Sequence, residues 1–256
     1  MDMQFVAVIS DIHANLPALE AVLEEIDGLG IEHILCCGDI VGYGPHPREC
    51  VELLRQRKIL SVLGNHDLYV LETRNNKAVQ EAEDELRGDT VWAGILHAVA
   101  QLRDADFNWL LELPTFLKLP GVIVGHAAMH DVENWPYLVD DADIIATLDE
   151  LAARKLSLGF FGHSHDQLWF TKSPKGAVKR SDKAKSTLPV DQASAVVVGS
   201  VGQPRTGDPR AAWTLWQPQT RAIEFRRTPY PVEETMAAIK ACGLPWKSAQ
   251  RLSRGV

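Results

Sequence analysis

Five times along this chain a short apolar run stops at a residue able to bind metal or move a proton. Phe5–Ser10 runs into Asp11-Ile12-His13, His33–Cys37 into Gly38-Asp39, and Ile59–Leu63 into Gly64-Asn65-His66-Asp67. Val122–Gly125 leads to His126, and Leu156–Phe161 to Gly162-His163-Ser164-His165. Runs of this length and β-branched content read as buried strands. In an open α/β sheet the carboxyl ends of strands converge on one crevice, so residues distant in sequence become neighbours there. Any one of the five groups, taken alone, reads as well as a polar turn, because Gly and Asn favour turns. All five, in this order, point to a site.

The intervening segments support the same architecture. After the first run, Asn15 can cap a helix and Pro17 suits its first turn, with Leu19, Val22, Leu23, Ile26 and Leu29 on one face. A second helix is expected from about Pro47 to Arg57. Strand, polar turn, helix, strand is the rhythm of a parallel sheet with crossover helices. Tyr69 to Leu113 reads as mostly helical, with apolar stripes at Trp92, Ile95, Leu96, Val99 and at Trp109, Leu110, Leu113 that suit helix packing. Thr115–Leu119 is strand-like, and Asp141 can cap a helix through Lys155 that buries Ile144, Ile145, Leu148 and Leu151. Gln167–Thr171 and Ala195–Val198 are further strands, and Ala212–Trp216 with Ile223–Arg227 read as a closing hairpin. Lys172 to Lys185 holds six basic residues against Asp182 alone, the mark of a solvated hairpin or mobile loop. The last helix is expected at about Val232–Ala241, stopping at Gly243 before a short polar tail. No repeat and no Pro/Ser-rich linker divides the chain, so residues 1–256 are expected to form a single domain.

Composition narrows the classes. A hydrophobic content of 46% with 23% charged residues is that of a globular protein with a substantial core. The net charge of −8 argues against a general duplex-binding protein, which needs a basic face. Met1 to Gln4 carries no positive charge, Phe5–Ile9 is too short for a signal core, and no apolar stretch approaches the roughly 20 residues of a membrane span. Cys36, Cys37, Cys50 and Cys242 lack zinc-finger spacing, and the adjacent pair reads as buried strand thiols, which suits a reducing cytoplasm.

Carboxylate, imidazole and amide oxygen without thiolate suit Mn²⁺, Fe²⁺/Fe³⁺ or Zn²⁺. Seven such ligands are too many for one tetrahedral ion with an open position. They suit two ions, the arrangement used for phosphoryl transfer, and a central Asp can bridge both. His33, His46, His97 and His130 fall outside the strand ends and read as ordinary residues.

The ordered motifs Asp-x-His, Gly-Asp-x-x-Gly, Gly-Asn-His-Asp, a later His and Gly-His-x-His resemble those of the calcineurin-like metallophosphoesterases, in particular the compact bacterial and archaeal phosphodiesterase-type members. Gly199-Ser200-Val201-Gly202-Gln203-Pro204-Arg205 matches their late loop, and Tyr230 with Gly243-Leu244-Pro245 resembles their C-terminal helix. The resemblance implies a four-layer αββα sandwich of mixed sheets with a dinuclear metal site at the strand carboxyl ends. It implies that Asp11, His13, Asp39 and His165 hold one ion and Asp39, Asn65, His126 and His163 the other, with manganese mildly preferred. His66 matches the histidine beside the substrate, Asp67 the carboxylate that orients it, and Arg205 is the substrate-binding candidate. Two departures stand out: Ala127-Ala128-Met129 follow His126 where relatives often have Gly and Ser-Pro, and the Lys-rich insertion is unlike compact relatives.

The function expected is hydrolysis of a phosphate-ester small molecule or nucleotide, diester mildly preferred, by water made nucleophilic between two divalent ions. Phosphomonoesterase, protein phosphatase and dinucleoside polyphosphate hydrolase are the alternatives within that chemistry. A metal-stabilised binding scaffold is the rival from another class, but such relatives usually lose a ligand or the catalytic histidine. A nuclease using the Lys-rich segment as a backbone track is disfavoured by the acidic net charge.

Overall fold

A computed structural model describes residues 4–81, 83–86, 88–173 and 175–256. Most of the segment on which the absence of a secretion signal is read, residues 1–3, lies outside the described residues, as do residues 82 and 87 of the helical stretch and residue 174 of the Lys-rich segment.

The chain begins β1 (Val6–Ile9), α1 (Leu16–Gly28), β2 (His33–Cys36), α2 (Pro47–Gln56) and β3 (Leu60–Ser61). Five helices follow: α3 (Asn65–Thr73), α4 (Lys77–Glu81), α5 (Glu83–Leu86), α6 (Thr90–Gln101) and α7 (Asp104–Leu111). Then come β4 (Phe116–Leu119), β5 (Val122–Gly125), α8 (Asp141–Ala153), β6 (Leu158–Phe161), β7 (Gln167–Lys172), β8 (Val178–Ser181) and β9 (Lys185–Thr187). The chain closes with β10 (Ser194–Val198), β11 (Ala211–Gln217), β12 (Ala222–Thr228), α9 (Val232–Ala241) and α10 (Trp246–Arg254).

Two six-stranded mixed sheets result, ordered β3-β2-β1-β11-β12-β9 and β4-β5-β6-β10-β7-β8. Side chains alternate across each strand, which lets one strand serve two cores. Val6 and Val8 of β1 face the layer between the sheets, where they join Val196, Val198, Phe160 and Trp216. Ala7 and Ile9 face outward to α1 and its neighbours, packing with Leu19, Val22, Ile26 and Trp213. On the far side Ala195, Val197 and Phe161 pack against Ile144, Leu148 and Leu151 of α8. Helix, sheet, sheet, helix is the expected four-layer order.

Local expectations hold with four corrections. In α1 Asn15 is the N-cap and its side-chain oxygen accepts the Ala18 N–H (3.4 Å), but Leu29 falls past the last turn and is exposed. The third strand is two residues: Val62 N–H makes the last bond to β2, at Cys36 O (3.0 Å), and Leu63 N–H turns away to Pro114 O (2.9 Å). Helix α8 starts at Asp141 with Asp140 in the capping position. The polar tail after Gly243 is a helix, α10, whose Ser248, Ala249 and Leu252 are buried against α9. Of the two forms expected for the Lys-rich segment, the structure has the hairpin. It forms the β7–β8 hairpin and then crosses to the other sheet, where β9 pairs with β12. Among the described residues no helix is long and apolar enough to cross a membrane.

Candidate metal centre

The strand ends converge as their residue types require. β1 delivers Asp11 and His13, β2 Asp39, β5 His126, and β6 His163 and His165. Asn65, His66 and Asp67 form the first turn of α3 rather than the tail of a strand. All nine are buried, none more than 7% exposed. To turn its side chains inward so sharply the backbone enters the left-handed region at Asp11, His13, Asp39, His163 and His165 (φ 52, 47, 52, 68 and 62). Each such residue costs on the order of 1 kcal/mol or more, and persists only where its surroundings hold it. Here Asp11 N–H donates to Gly38 O (3.0 Å), His13 N–H to Asp39 O (2.9 Å), and Asp11 O accepts from Gly202 N–H (2.9 Å). Two glycines let the backbone come this close. A Cβ on Gly64 would lie 2.1 Å from Asp39 Oδ1, and one on Gly162 2.5 Å from Asp11 Oδ2.

Three overlapping groups could each hold an ion, with donor atoms within 4.8 Å of one another: Asp11, His13, His165; Asp39, His126, His163; and His13, Asp39, His66. Asp39 Oδ2 faces His126 Nε2 at 3.3 Å and His13 Nε2 at 3.7 Å, so it stands between the first two groups. Asn65 Oδ1 lies 3.0 Å from His126 Nε2 and joins the second. The seven residues expected as ligands therefore meet in one place, with His66 beside them.

The ring nitrogens carry the chemical argument. Nδ1 of His13, His126 and His165 meets the carbonyls of Val41 (3.3 Å), Cys37 (2.8 Å) and Gln203 (2.5 Å). A carbonyl only accepts, so the proton sits on Nδ1 and a lone pair at Nε2 turns inward. His13 Nε2 then faces His165 Nε2 at 3.2 Å, and His126 Nε2 faces His163 Nδ1 at 3.2 Å. Two inward lone pairs at that separation repel unless a proton or a cation lies between them. The donor set fits borderline divalent cations.

Charge states follow from burial and neighbours. Burial works to raise the Asp11 carboxyl, but His165 holds it below the usual carboxylate range. Burial opposes ionisation of Asp39 as well, yet His126 and His66 keep it well below that range. Burial pushes His13 and His66 down, and burial with His126 takes His163 down to about 3. His126 resists burial because Asp39 lifts it to about 9. His13, His66 and His163 are thus neutral at neutral pH, whereas Asp39 keeps His126 protonated.

Asp67 does not orient the His66 ring. Its Oδ1 accepts from Ile40 and Val41 N–H (2.9 and 3.1 Å) and its Oδ2 from Gly64 N–H (3.0 Å), while His66 Nδ1 is buried without a partner. Burial and then Asp39 push this carboxyl up to about 7, against the pull of those N–H groups. Asp67 is the clamp that joins the second and third strand-end loops. His66 is placed by packing instead: its ring lies 4.6 Å from Tyr43 and 4.8 Å from His13, and a Cβ on Gly42 would be 2.4 Å from its Nδ1. Arg205 is half-buried, with Nη2 donating to Gln203 Oε1 (2.9 Å) and Nε buried without a partner.

Several contributors escape a motif search. Tyr43 packs edge-on to His13 (4.9 Å), and its signal was its place directly after Gly-Asp-x-x-Gly. Tyr137 stacks on His163 at 3.9 Å and Trp135 meets His126 edge-on at 5.7 Å, yet both come from an irregular loop with no periodic signal. Ser200 Oγ donates to Asp11 O (2.8 Å), and Asn15 Nδ2 to Gly202 O (2.9 Å), tying the late loop to the first strand end. The histidines set aside stay apart, His97 on Pro45 O (3.0 Å) and His130 on Asp143 (3.0 Å).

A family model described as the calcineurin-like phosphoesterase superfamily domain matches residues 3–216. An uncharacterized protein of Methanocaldococcus jannaschii is 36% identical over 260 residues, the alignment covering 100% of both chains. The crystal structure of a metallophosphoesterase from Sphaerobacter thermophilus superposes with a TM-score of 0.82 at 32% identity, covering 98% of this chain and 99% of that one. A symmetrical bis(5'-nucleosyl)-tetraphosphatase of Pseudomonas putida is 27% identical over 128 residues, 47% of this chain and 41% of its own length.

Proposed function

We propose, from the premise that this chain belongs to the calcineurin-like phosphoesterase superfamily, that it hydrolyses phosphate esters at a centre of two divalent ions. The observation that carries this reading is the pair of inward-facing nitrogen couples, His13/His165 and His126/His163, with Asp39 between them. Asp11, His13, Asp39 and His165 would hold one ion, and Asp39, Asn65, His126 and His163 the other. Such ions, when bound, supply Lewis-acid charge and lower the pKa of water toward neutrality. Manganese is the preferred occupant, a phosphodiester the preferred substrate, and residues 1–256 are taken as a single domain.

The chain's own groups do the rest. The Val41, Cys37 and Gln203 carbonyls hold Nδ1 of three rings, so their Nε2 atoms face the ions, and His126, lifted by Asp39, gives up its Nε2 proton when an ion binds. Gly42 walls off His66 Nδ1, which leaves Nε2 as the nitrogen that can meet the leaving oxygen; burial keeps the ring neutral, so it gives a proton there only once the charge of bound phosphate has raised its pKa. Arg205, half-buried beside Gln203, is the chain's candidate to hold a non-bridging oxygen of the phosphate. Three buried, unpaired thiols suit a cytoplasmic home.

A second reading, dinucleoside polyphosphate hydrolysis, draws on the similarity to the tetraphosphatase over 47% of the chain. Metal analysis of the purified protein is expected to approach two ions per chain, and chelation to abolish turnover. Full activity in a metal-free preparation would overturn the proposal. A panel of diester, monoester and dinucleoside polyphosphate substrates with Mn²⁺-loaded protein decides between the two readings.

A further inference from the structure

The four imidazoles of the two ligand groups are not held alike. His13, His126 and His165 each rest Nδ1 on a main-chain carbonyl and turn Nε2 inward. His163 is turned the other way round. Its Nδ1 faces His126 Nε2 at 3.2 Å, and among the described residues its Nε2 has no hydrogen-bond partner. The His163 N–H donates to Asp11 Oδ2 (3.0 Å), which fixes the backbone but not the ring. A ligand imidazole is ordinarily oriented by a hydrogen bond at its second nitrogen. In place of that bond stands the Tyr137 ring, stacked on His163 with centroids 3.9 Å apart and planes at 17°.

Tyr137 is 48% exposed, yet the chain holds it from both sides. Trp135, two residues before it, is buried with its ring edge-on to His126 at 5.7 Å. The Trp135 backbone is left-handed (φ 49), as is that of Asp131 (φ 49). A bulky residue persists in that conformation only where its neighbours hold it. Here Asp131 O accepts the Asn134 N–H (3.0 Å), Asp131 Oδ1 accepts from the Asn134 side-chain amide (2.8 Å), and Pro136 O accepts the Ala128 N–H (3.2 Å). Leu138, just after Tyr137, is buried with Ile144 and Leu148 of α8. A surface tyrosine is thus pinned between two buried anchors and laid flat on one ligand.

We infer that Tyr137 is a positioning residue for the second ion: its ring, in place of a hydrogen bond, keeps His163 Nδ1 turned toward the group of Asp39, Asn65 and His126. The imidazoles of the first ion, His13 and His165, both rest on carbonyls and do not depend on such a stack, so the second ion is the more readily lost.

The inference rests on the two-ion reading, and a measurement on metal-free protein separates the two. Calorimetric titration of metal-free protein with Mn²⁺ is expected to give two dissociation constants. Tyr137→Ala should raise one of them about tenfold, the scale of a lost outer-shell partner, and leave the other within about twofold. Tyr137→Phe keeps the ring without the hydroxyl and should stay within about twofold of wild type at both. In His126→Ala, which removes a donor of the second group only, adding Tyr137→Ala should leave the remaining constant unchanged. Two unchanged constants in Tyr137→Ala, an equal rise in both, or a loss in Tyr137→Phe as large as in Tyr137→Ala would each overturn the role. Crystal structures of metal-free wild type and Tyr137→Ala give the second readout: in the variant the His163 ring should leave its place opposite His126 or split between two rotamers. A ring unmoved there overturns the positioning role whatever metal the protein binds. If the ring turns in the variant but wild type binds fewer than two Mn²⁺ ions, the positioning of His163 stands and the two-ion reading falls.

Discussion

Two regions of this protein are rich in ionisable side chains, and they behave in opposite ways. In the cradle at the strand ends, Asp11, Asp39 and five histidines are buried, Asp11, His13, Asp39, His163 and His165 have left-handed backbone, and main-chain carbonyls hold Nδ1 of His13, His126 and His165. In the β7–β8–β9 segment the charges lie at the surface. Lys172 pairs with Asp149 and Arg180 with Asp141, both across to α8, and Lys185 pairs with Glu224 on β12 at 3.1 Å. Lys179 lies 5.4 Å above the Trp169 ring. Exposed pairs of this kind contribute about 0–1 kcal/mol each, whereas a buried charge without partners costs several times that. Burial, not charge count, separates a region that can do chemistry from one that only decorates an edge.

The sharpest way to break this contrast is Asp39→Asn. Asp39 faces both ligand groups and also accepts the His66 N–H at 2.8 Å. The amide loses the charge while keeping the shape, so bound metal should fall toward zero at both sites and hydrolysis to background, read by elemental analysis and turnover. Retention of one full ion would show that Asp39 serves only one group.

His66→Ala should give the next largest effect. If its ring protonates the leaving oxygen, the variant should lose on the order of 10²–10⁴ in rate on alkyl esters. It should lose far less on nitrophenyl esters, whose leaving group departs without a proton, and metal content should hold. Equal losses on both would assign His66 to charge stabilisation instead. Loss of metal would place it among the ligands, as its nearness to His13 and Asp39 allows.

The smallest effect belongs to the other region. Replacing Lys172 and Arg180 together by Gln should shift stability by about 1 kcal/mol or less, measured by denaturant melts, and leave KM for a small phosphate ester within about twofold. A large rise in KM would bring this hairpin much nearer to the substrate path than its pairing with α8 suggests.

Much of the architecture was legible in local pattern. Apolar runs such as Val122–Gly125 and Leu156–Phe161 announced strands, Asn15 and Pro17 announced a helix start, and Ala212–Trp216 with Ile223–Arg227, which lack helical spacing, form the expected closing hairpin as β11 and β12. Those signals are local because strand period, helix period and capping are properties of a few consecutive residues. Helix α10 was missed because its buried face is narrow, Ser248, Ala249 and Leu252, and acquires meaning only against α9.

What the sequence determined by itself is the set of donor types and their order at strand ends, since those follow from chemistry and from where apolar runs stop. What only the tertiary structure decided is which donor faces which. That Asp67 spends its oxygens on Gly64, Ile40 and Val41 depends on the ends of neighbouring β2 and β3, and that His163 N–H meets the Asp11 carboxylate (3.0 and 3.2 Å) depends on strands from two sheets meeting at one edge. Contacts between residues more than a hundred positions apart are set by packing the two sheets face to face, and no period along the chain encodes them.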